Sequence, residues 1–221
     1  MRTAAGAAAL SVTANASSFG GARRLDPSAA LPDPRTRDGL PEAWQQRKIR
    51  QVRQEMKQRD LNALVLLHAT NIIYTTGYFH LSTERPLAAV IPESGDPALF
   101  VPGLESDQVK LWWVKDCEAY SDFPGPVKWV RWIFERVAKR GRGGGRIGVE
   151  EPTPSRLAQM KLGASQATIV NAGDLIEHMH WVKDGDEIRI MRCGMHCNDF
   201  SIDAGRVFIQ THGNATENEI L

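Results

Sequence analysis

Apolar residues recur every three to four positions in several parts of the chain, a spacing that gathers them on one face of a helix. The first set lies between charged residues, and its members are Trp44, Ile49, Val52 and Met56. Further helices are predicted over residues 105–114, 127–137, 155–163 and 174–182. Ser155 is the expected N-cap of the third of these, and a longer helix is predicted to start near Asp186.

Short continuous apolar runs lie between these helices and predict strands that are covered on both faces. The runs occupy residues 63–67, 87–91, 98–101, 117–120, 146–150 and 168–172. Residues 92–97 separate the second run from the third and contain Pro, Gly and Asp, so they predict a tight turn and an antiparallel hairpin. Helices that alternate with mostly buried strands predict an α/β fold built on a mixed sheet.

The balance of charge argues against a nucleic-acid-binding protein. The 221 residues carry 27 Lys and Arg against 26 Asp and Glu, a formal net charge of +1, whereas dedicated nucleic-acid binders usually have a basic face. A dense basic stretch at residues 139–142 is interpreted as a solvated loop. Three cysteines cannot build a full disulfide framework, so a cytoplasmic location is expected.

The chain shows no apolar run near the ~20 residues that cross a bilayer, so we expect no membrane span. Residues 1–24 are rich in Ala, Ser and Thr and contain three Arg but no acidic residue. This composition is interpreted as low-complexity sequence. It leaves export or organelle targeting open.

Three patterns resemble chemical sites, and each has a plainer interpretation. The glycine-rich residues 141–145 follow a predicted helix and precede a strand, the reverse of a phosphate-binding loop, which favours a flexible connection. Cys117 lies in a predicted strand and no Gly-x-Ser-x-Gly elbow is present, so nucleophilic catalysis is not indicated. A zinc site is the third pattern, and its candidate ligands are His178, His180, Cys193, His196 and Cys197. Structural zinc sites favour close Cys pairs, and the chain contains no such pair, so packing of the two cysteines in a core is favoured.

Residues 74–86 form the most distinctive connection between predicted strands. They combine two Tyr, a Phe, a His and the pair Glu84 and Arg85. Loops held by a rigid sheet often carry binding residues, and the planar guanidinium of Arg85 suits a carboxylate of a ligand or a protein partner. Alternatively, Arg85 pairs with a neighbouring carboxylate and the aromatic residues fill the edge of the domain. The residues alone leave both interpretations open.

Residues 71–78, Asn-Ile-Ile-Tyr-Thr-Thr-Gly-Tyr, resemble the Asn-Ile-x-Tyr-x-Thr-Gly-aromatic signature of creatinase/prolidase amino-terminal domains. Further segments resemble the same family in the same order along the chain. They are residues 47–56, 63–65, 84–87, 90–92, 100–105, 147–150, 171–176, 182–192 and 213–220. The resemblance implies an α/β fold with a mixed, mostly buried sheet of about six strands, flanked by helices.

The resemblance also implies a division of the chain into three parts. Residues 1–43 would be an extension that is disordered or resembles a targeting segment. Residues 44–182 would be the creatinase/prolidase-like amino-terminal domain. Residues 183–221 would be the linker and the first helix of a pita-bread catalytic domain that is cut short.

In metal-dependent members of the family, the catalytic domain holds two divalent metals through two Asp, one His and two Glu, and these metals activate water to cleave an Xaa–Pro bond. None of these ligands is expected before Leu221, so this chain would bind no cofactor and would be inactive alone. Two Mn, Co or Zn ions would belong to the catalytic domain that follows.

The role that the resemblance implies for the present domain is one of organisation. It would pair subunits into a homodimer and restrict the active site to small peptides, with Tyr78, His80 and Arg85 lining the entrance. Two alternatives stay open. In the first alternative, the chain is a standalone binding or assembly module. In the second, it is the amino-terminal domain of a creatinase-like hydrolase that cleaves a C–N bond in a small molecule.

Overall fold

The structure, a computed structural model, describes residues 40–80, 85–121, 128–150, 152–214 and 216–220. The strands in these ranges are β1 (Ala63–Leu66), β2 (Ala88–Pro92), β3 (Ala98–Pro102), β4 (Asp116–Tyr120), β5 (Gly145–Val149) and β6 (Ala167–Asn171). The helices are α1 (Glu42–Gln58), α2 (Ala69–Thr76), α3 (Ser106–Lys110), α4 (Trp129–Val137), α5 (Pro154–Gly163), α6 (Asp174–Trp181), α7 (Gly185–Thr211) and α8 (Glu217–Ile220).

The six strands form one mixed sheet in the order β4-β3-β2-β1-β5-β6. Strand β1 is central: Val65 pairs with Val90 of the antiparallel β2 and with Val149 of the parallel β5. Strands β2 and β3 form the predicted antiparallel hairpin, and both outer strands run parallel to their neighbours. The predicted α/β class and mixed sheet are therefore confirmed.

Helices cover both faces of the sheet, and alternate residues of each inner strand point to opposite faces. In β1, Leu64 and Leu66 pack on the face that carries α1, α2 and α6. Ala63 and Val65 of the same strand pack on the other face, which carries α4 and α5. Because each residue of β1, β2 and β3 is buried, these strands read as continuous apolar runs in the sequence.

The two edge strands are less buried than the inner ones. Strand β4 also carries two carboxylates that pair with arginines of the segment running from α4 towards β5. Arg140 lies 2.8 Å from an Asp116 oxygen and 2.7 Å from a Glu118 oxygen, and Arg136 lies 3.2 Å from Glu118. Charged side chains on an edge strand discourage further strand pairing.

Two predictions on helices need correction. The helix predicted over residues 105–114 is reduced to a 3₁₀ turn, Gly103–Glu105, and the short α3, because the chain turns after α3 and Trp112 and Trp113 pack against the core. The predicted Ser155 cap is wrong. Thr153 is the N-cap of α5 and its hydroxyl accepts a hydrogen bond from the Arg156 amide at 3.4 Å.

Helix α7 spans 27 residues and begins with a reciprocal cap. The Glu187 amide donates to Asp184 Oδ1 and the Asp184 amide donates to Glu187 Oε2, both at 2.9 Å, which satisfies amides that a helix start leaves unpaired. Of the 27 residues, only Glu187 is buried. Among the described residues, no helix is both long and apolar enough to span a membrane.

Candidate functional site

The signature segment, residues 71–78, lies mainly in a helix rather than in the predicted loop. Helix α2 runs to Thr76 and ends at Gly77, whose φ of 69° is left-handed. A glycine is favoured at such a helix end because it tolerates positive φ. A Cβ on Gly77 would also lie 2.1 Å from Nε2 of the buried Gln45, so that side chain would have to move. This helix was not predicted, because α2 is only eight residues long and shows little periodicity.

The start of α2 is held by a carboxylate that follows β5, the parallel neighbour of β1, at the same end of the two strands as the start of α2. Glu150 follows β5 and is 1% exposed. One of its oxygens accepts from the Leu67 amide at 2.5 Å and the His68 amide at 2.8 Å. The other accepts from Nδ2 of Asn71 at 2.6 Å. A carboxylate at a helix N-terminus is stabilised by the unpaired amides and the helix dipole, so Glu150 fixes where α2 begins.

The two threonines of the signature segment make their hydrogen bonds inside the domain. The Thr75 hydroxyl donates to the Asn71 carbonyl at 2.8 Å and the Thr76 hydroxyl donates to the Ile72 carbonyl at 2.6 Å, the usual backbone contact of a helical threonine. The Thr76 carbonyl accepts the indole N–H groups of Trp112 and Trp113 at 2.9 and 2.7 Å. Both threonines are fully buried.

Tyr78, the aromatic residue that ends the signature segment, is also fully buried. Its hydroxyl donates to Glu105 Oε2 at 2.8 Å, and its ring meets Trp112 edge to face at 5.9 Å. Burial, reinforced by the Glu105 carboxylate, raises the pKa of the Tyr78 hydroxyl above its usual value. Tyr78 therefore stays protonated and acts as a hydrogen-bond donor.

The other two predicted entrance residues lie nearer the surface. His80 is half-buried, and its ring stacks on that of Tyr78 with centroids 6.1 Å apart. Within the described ranges, Nδ1 of His80 is buried and has no hydrogen-bond partner. Arg85 is half-buried, and the preceding residues 81–84, which include Glu84, lie outside the described residues. The structure thus brings Tyr78 and His80 together, and Arg85 follows His80 by five positions in the chain.

Tyr74 links the signature segment to the last helices of the domain. Its hydroxyl donates to the Met179 carbonyl at 3.3 Å. Its ring contacts Trp44 edge to face at 5.3 Å and His180 at 4.1 Å between centroids. An open groove of about 440 Å³ lies beside this cluster. The groove is lined by Lys48, Gln51, Gln54, Glu55, His178, Met179, Val182, Lys183 and Asp184.

The candidate zinc ligands do not form a site. In the ranges that the structure describes, no three His, Cys, Asp or Glu side chains are grouped so that they could hold a metal ion. Cys193 is half-exposed and Cys197 is exposed, and both thiols are free, so the prediction that they pack in a core is wrong. Cys117 is also free and lies in β4 as predicted. The glycine-rich residues 141–145 lead from α4 into β5, so they follow a helix and precede a strand as predicted.

The residues that hold the signature segment were not singled out from the sequence. Glu150, Glu105 and Lys48 lie in segments that resemble the family, but their partners are distant along the chain. Glu150 and Asn71, for example, are 79 residues apart. The one local signal in the sequence is the position of Glu150 at the end of an apolar strand run. A charged residue in such a place indicates a buried partner, because charged residues are rarely fully buried unless they are paired.

A mixed six-stranded sheet with a buried helical signature segment defines the class: an α/β domain in which this segment is structural. The chain belongs to the creatinase/prolidase N-terminal domain family, whose model matches residues 48–181. It is 36% identical over 164 residues to an uncharacterized peptidase of Staphylococcus epidermidis, covering 74% of this chain and 44% of that protein. The chain thus spans less than half the length of the curated relatives it matches.

Solved structures agree with the fold. An N-terminal domain of an Xaa-Pro dipeptidase from Lactobacillus brevis superposes with a TM-score of 0.51 at 26% identity, covering 60% of this chain and 99% of that one. A recombinant prolidase from Thermococcus sibiricus superposes with a TM-score of 0.56 at 19% identity, covering 68% of this chain and 40% of that one. The second likeness supports the fold alone.

Proposed function

We propose that this chain is the non-catalytic amino-terminal part of an Xaa-Pro peptidase-like hydrolase. The observation that carries the proposal is the use of the signature segment inside the fold. Asn71, Thr76 and Tyr78 are buried and bonded to other groups of the domain. Side chains used in this way stabilise the fold of the domain, and they are not available as nucleophile, acid or base towards a substrate.

A catalytic part would follow α7 and would pack against it. The relatives are more than twice as long as the matched region, and α7 leaves a row of apolar side chains at the surface. Ile188, Met191, Met195, Ile202 and Ile209 are between 39% and 69% exposed. Exposed apolar area of this extent is characteristic of an interface. Two Mn, Co or Zn ions would be held there by residues beyond this chain and would activate water for Xaa–Pro cleavage.

The domain itself would shape the entrance to the active site. Tyr78 supports His80 by stacking, and Glu105 and Trp112 hold Tyr78 in turn. His80 and Arg85 keep part of their surface accessible and would face a small peptide substrate. In a homodimer, the proposed assembly, this entrance would adjoin the partner's active site.

Hydrolysis of Xaa-Pro dipeptides tests the proposal. The protein encoded by the complete reading frame is expected to turn over such dipeptides with added Mn²⁺ or Co²⁺, and residues 1–221 are expected to show no turnover under the same conditions. Reproducible turnover by purified residues 1–221 would show that the catalytic groups lie in this chain. No turnover by a complete protein that contains ordered Asp, Asp, His, Glu and Glu ligands would count against the peptidase reading.

The entrance role has its own test in the complete protein. His80→Ala and Arg85→Ala are expected to raise KM about threefold to tenfold with little change in kcat, because they would remove binding without touching the reacting atoms. Lys110→Ala on α3, which removes an exposed cation, is the matched control and should leave both constants unchanged. Analytical ultracentrifugation of the same variants measures whether the homodimer is retained.

A further inference from the structure

A cluster of charges, in which Lys48 and Glu187 are buried and Asp184 is half-buried, joins the first helix of the domain to the start of α7. Lys48 of α1 is 6% exposed, and its Nζ lies 3.2 Å from Asp184 Oδ2 and 3.1 Å from Glu187 Oε2. Nε1 of Trp44, one helical turn before Lys48, donates to the same Asp184 oxygen at 2.8 Å. The two carboxylates are those that cap α7. The capping group of α7 is therefore bonded to α1.

Aromatic rings complete the surroundings of Lys48. Its Nζ lies 4.8 Å from the centroid of Trp44 and 5.4 Å from that of Tyr74, distances at which a ring face attracts a cation. Burial lowers the pKa of Lys48, but its contacts with Tyr74, Glu187 and Asp184 outweigh burial and raise the pKa overall. Lys48 is thus a permanent cation placed between α1, α2 and α7.

Beyond its first turn, α7 packs little against the sheet domain. Of its residues only Glu187 is buried, and the side chains from Ile188 onward are half-exposed or exposed. A second ion pair, Arg47 with Asp186 at 2.7 Å, is about half-exposed on both sides, and exposed pairs contribute little. A helix held at one end by few contacts takes its direction from those contacts.

We propose that Lys48, Asp184 and Glu187 form a latch that sets the direction in which α7 leaves the sheet domain. The three residues tie the helix cap to α1, and Tyr74 ties the signature segment to the same point. Breaking the latch leaves the sheet folded and α7 helical but lets α7 change its angle to the sheet. The latch does not depend on the peptidase activity proposed above, since it concerns only contacts within residues 44–211.

The angle of α7 is measurable by double electron–electron resonance between two spin labels. One label is placed on the exposed native Cys197 and the other on Asp96→Cys in the exposed turn after β2, with Cys117→Ser and Cys193→Ser as background. The parent protein is expected to show one narrow distance distribution. Lys48→Met keeps the approximate length of the side chain but removes the cation that pairs with Asp184 and Glu187. We therefore expect the distribution of distances between the two labels to widen about twofold or more.

Matched variants separate the latch from a general loss of packing. Glu187→Gln keeps the side-chain contact to the helix start but removes the charge, and should also widen the distribution. The double variant Lys48→Met/Glu187→Gln should widen the distribution less than Lys48→Met alone, because only the Asp184 carboxylate then lacks its cation. Arg47→Met removes the exposed pair and should leave the width unchanged.

Three results would overturn the latch. They are an unchanged width in Lys48→Met, the same widening in Arg47→Met, or loss of cooperative sheet unfolding in both Lys48→Met and Glu187→Gln. If Lys48→Met alone does not fold, Glu187→Gln decides the question, because it perturbs only the α7 side of the cluster.

Discussion

Helices α1 and α7 both follow an apolar pattern, yet one is packed and the other is exposed. Six of the 17 residues of α1 are buried, among them Trp44, Val52 and Met56. Of the 27 residues of α7, Glu187 alone is buried. Amphipathic patterning predicts that a helix forms and which face is apolar, whereas burial requires a surface to pack against. The comparison shows that the sheet domain supplies this surface for α1 and only for the first turn of α7.

The largest effect is expected inside the packed region, at the carboxylate that holds α2. Glu150→Ala leaves the Leu67 and His68 amides and the Asn71 side chain without their acceptor in a buried site. We expect the free energy of unfolding to fall by about 3 kcal/mol, measured by urea denaturation. Glu135→Ala, which removes a partly exposed partner of Arg131, is the control and should cost about 0.5 kcal/mol or less. Equal losses would mean that the Glu150 contacts are not maintained in solution.

A matched pair of valines tests the comparison of the two helices directly. Val52 of α1 is 0% exposed and Val207 of α7 is 50% exposed. Val52→Ala should lower the free energy of unfolding by about 2 kcal/mol, since it opens a cavity in the core. Val207→Ala should change it by less than about 0.5 kcal/mol in residues 1–221. A comparable loss at Val207 would show that α7 packs against the domain in solution.

The signature glycine gives a smaller expected effect. Gly77→Ala forces a side chain into positive φ and displaces Gln45, whereas Gly141 has a similar φ of 73° and open space around it. We expect a loss of about 1.5 kcal/mol for Gly77→Ala and about 1 kcal/mol for Gly141→Ala in the same denaturation assay. Combining Gly77→Ala with Gln45→Ala should remove most of the additional loss that Gly77→Ala shows over Gly141→Ala, because the side chain that clashes is then shortened. A larger loss at Gly141 would contradict the steric argument.

The smallest expected effect is a pH dependence at the junction of the two regions. Burial lowers the pKa of His180 below its usual value of 6.5, opposed by Glu187 and Glu177 and assisted by Lys183 and Lys48. The unfolded chain therefore binds the proton more readily than the folded chain. The contribution of His180 is complete above about pH 6.5 and is lost as the pH falls towards its folded pKa.

Unfolding free energies at several pH values between 7 and 5 test this sign. His180→Gln should flatten part of the acid-side slope relative to the parent protein. An unaltered slope in His180→Gln would mean that the imidazole is equally easy to protonate in the folded and unfolded chains.

Local pattern predicted most of the elements in the sheet domain. The six strands, the hairpin between β2 and β3, and helices α1, α4 and α6 were evident because each has a clear period or turn signal. The short α2 was missed, since eight residues hold little periodic information and its start is set by Glu150 from after β5. Helix α3 was predicted as part of a longer helix over residues 105–114, and it is shorter because Trp112 and Trp113 turn back to donate to the Thr76 carbonyl.

What the sequence by itself determined is the class of fold, the order of elements and the family resemblance, because these depend on local spacing and on segments read in order. The tertiary structure alone decided what the signature residues do. Asn71 meets Glu150, Tyr78 meets Glu105 and Lys48 meets Glu187 across 79, 27 and 139 residues of chain. Such pairs arise when sheet and helices bring distant segments together, and burial then makes each polar contact necessary.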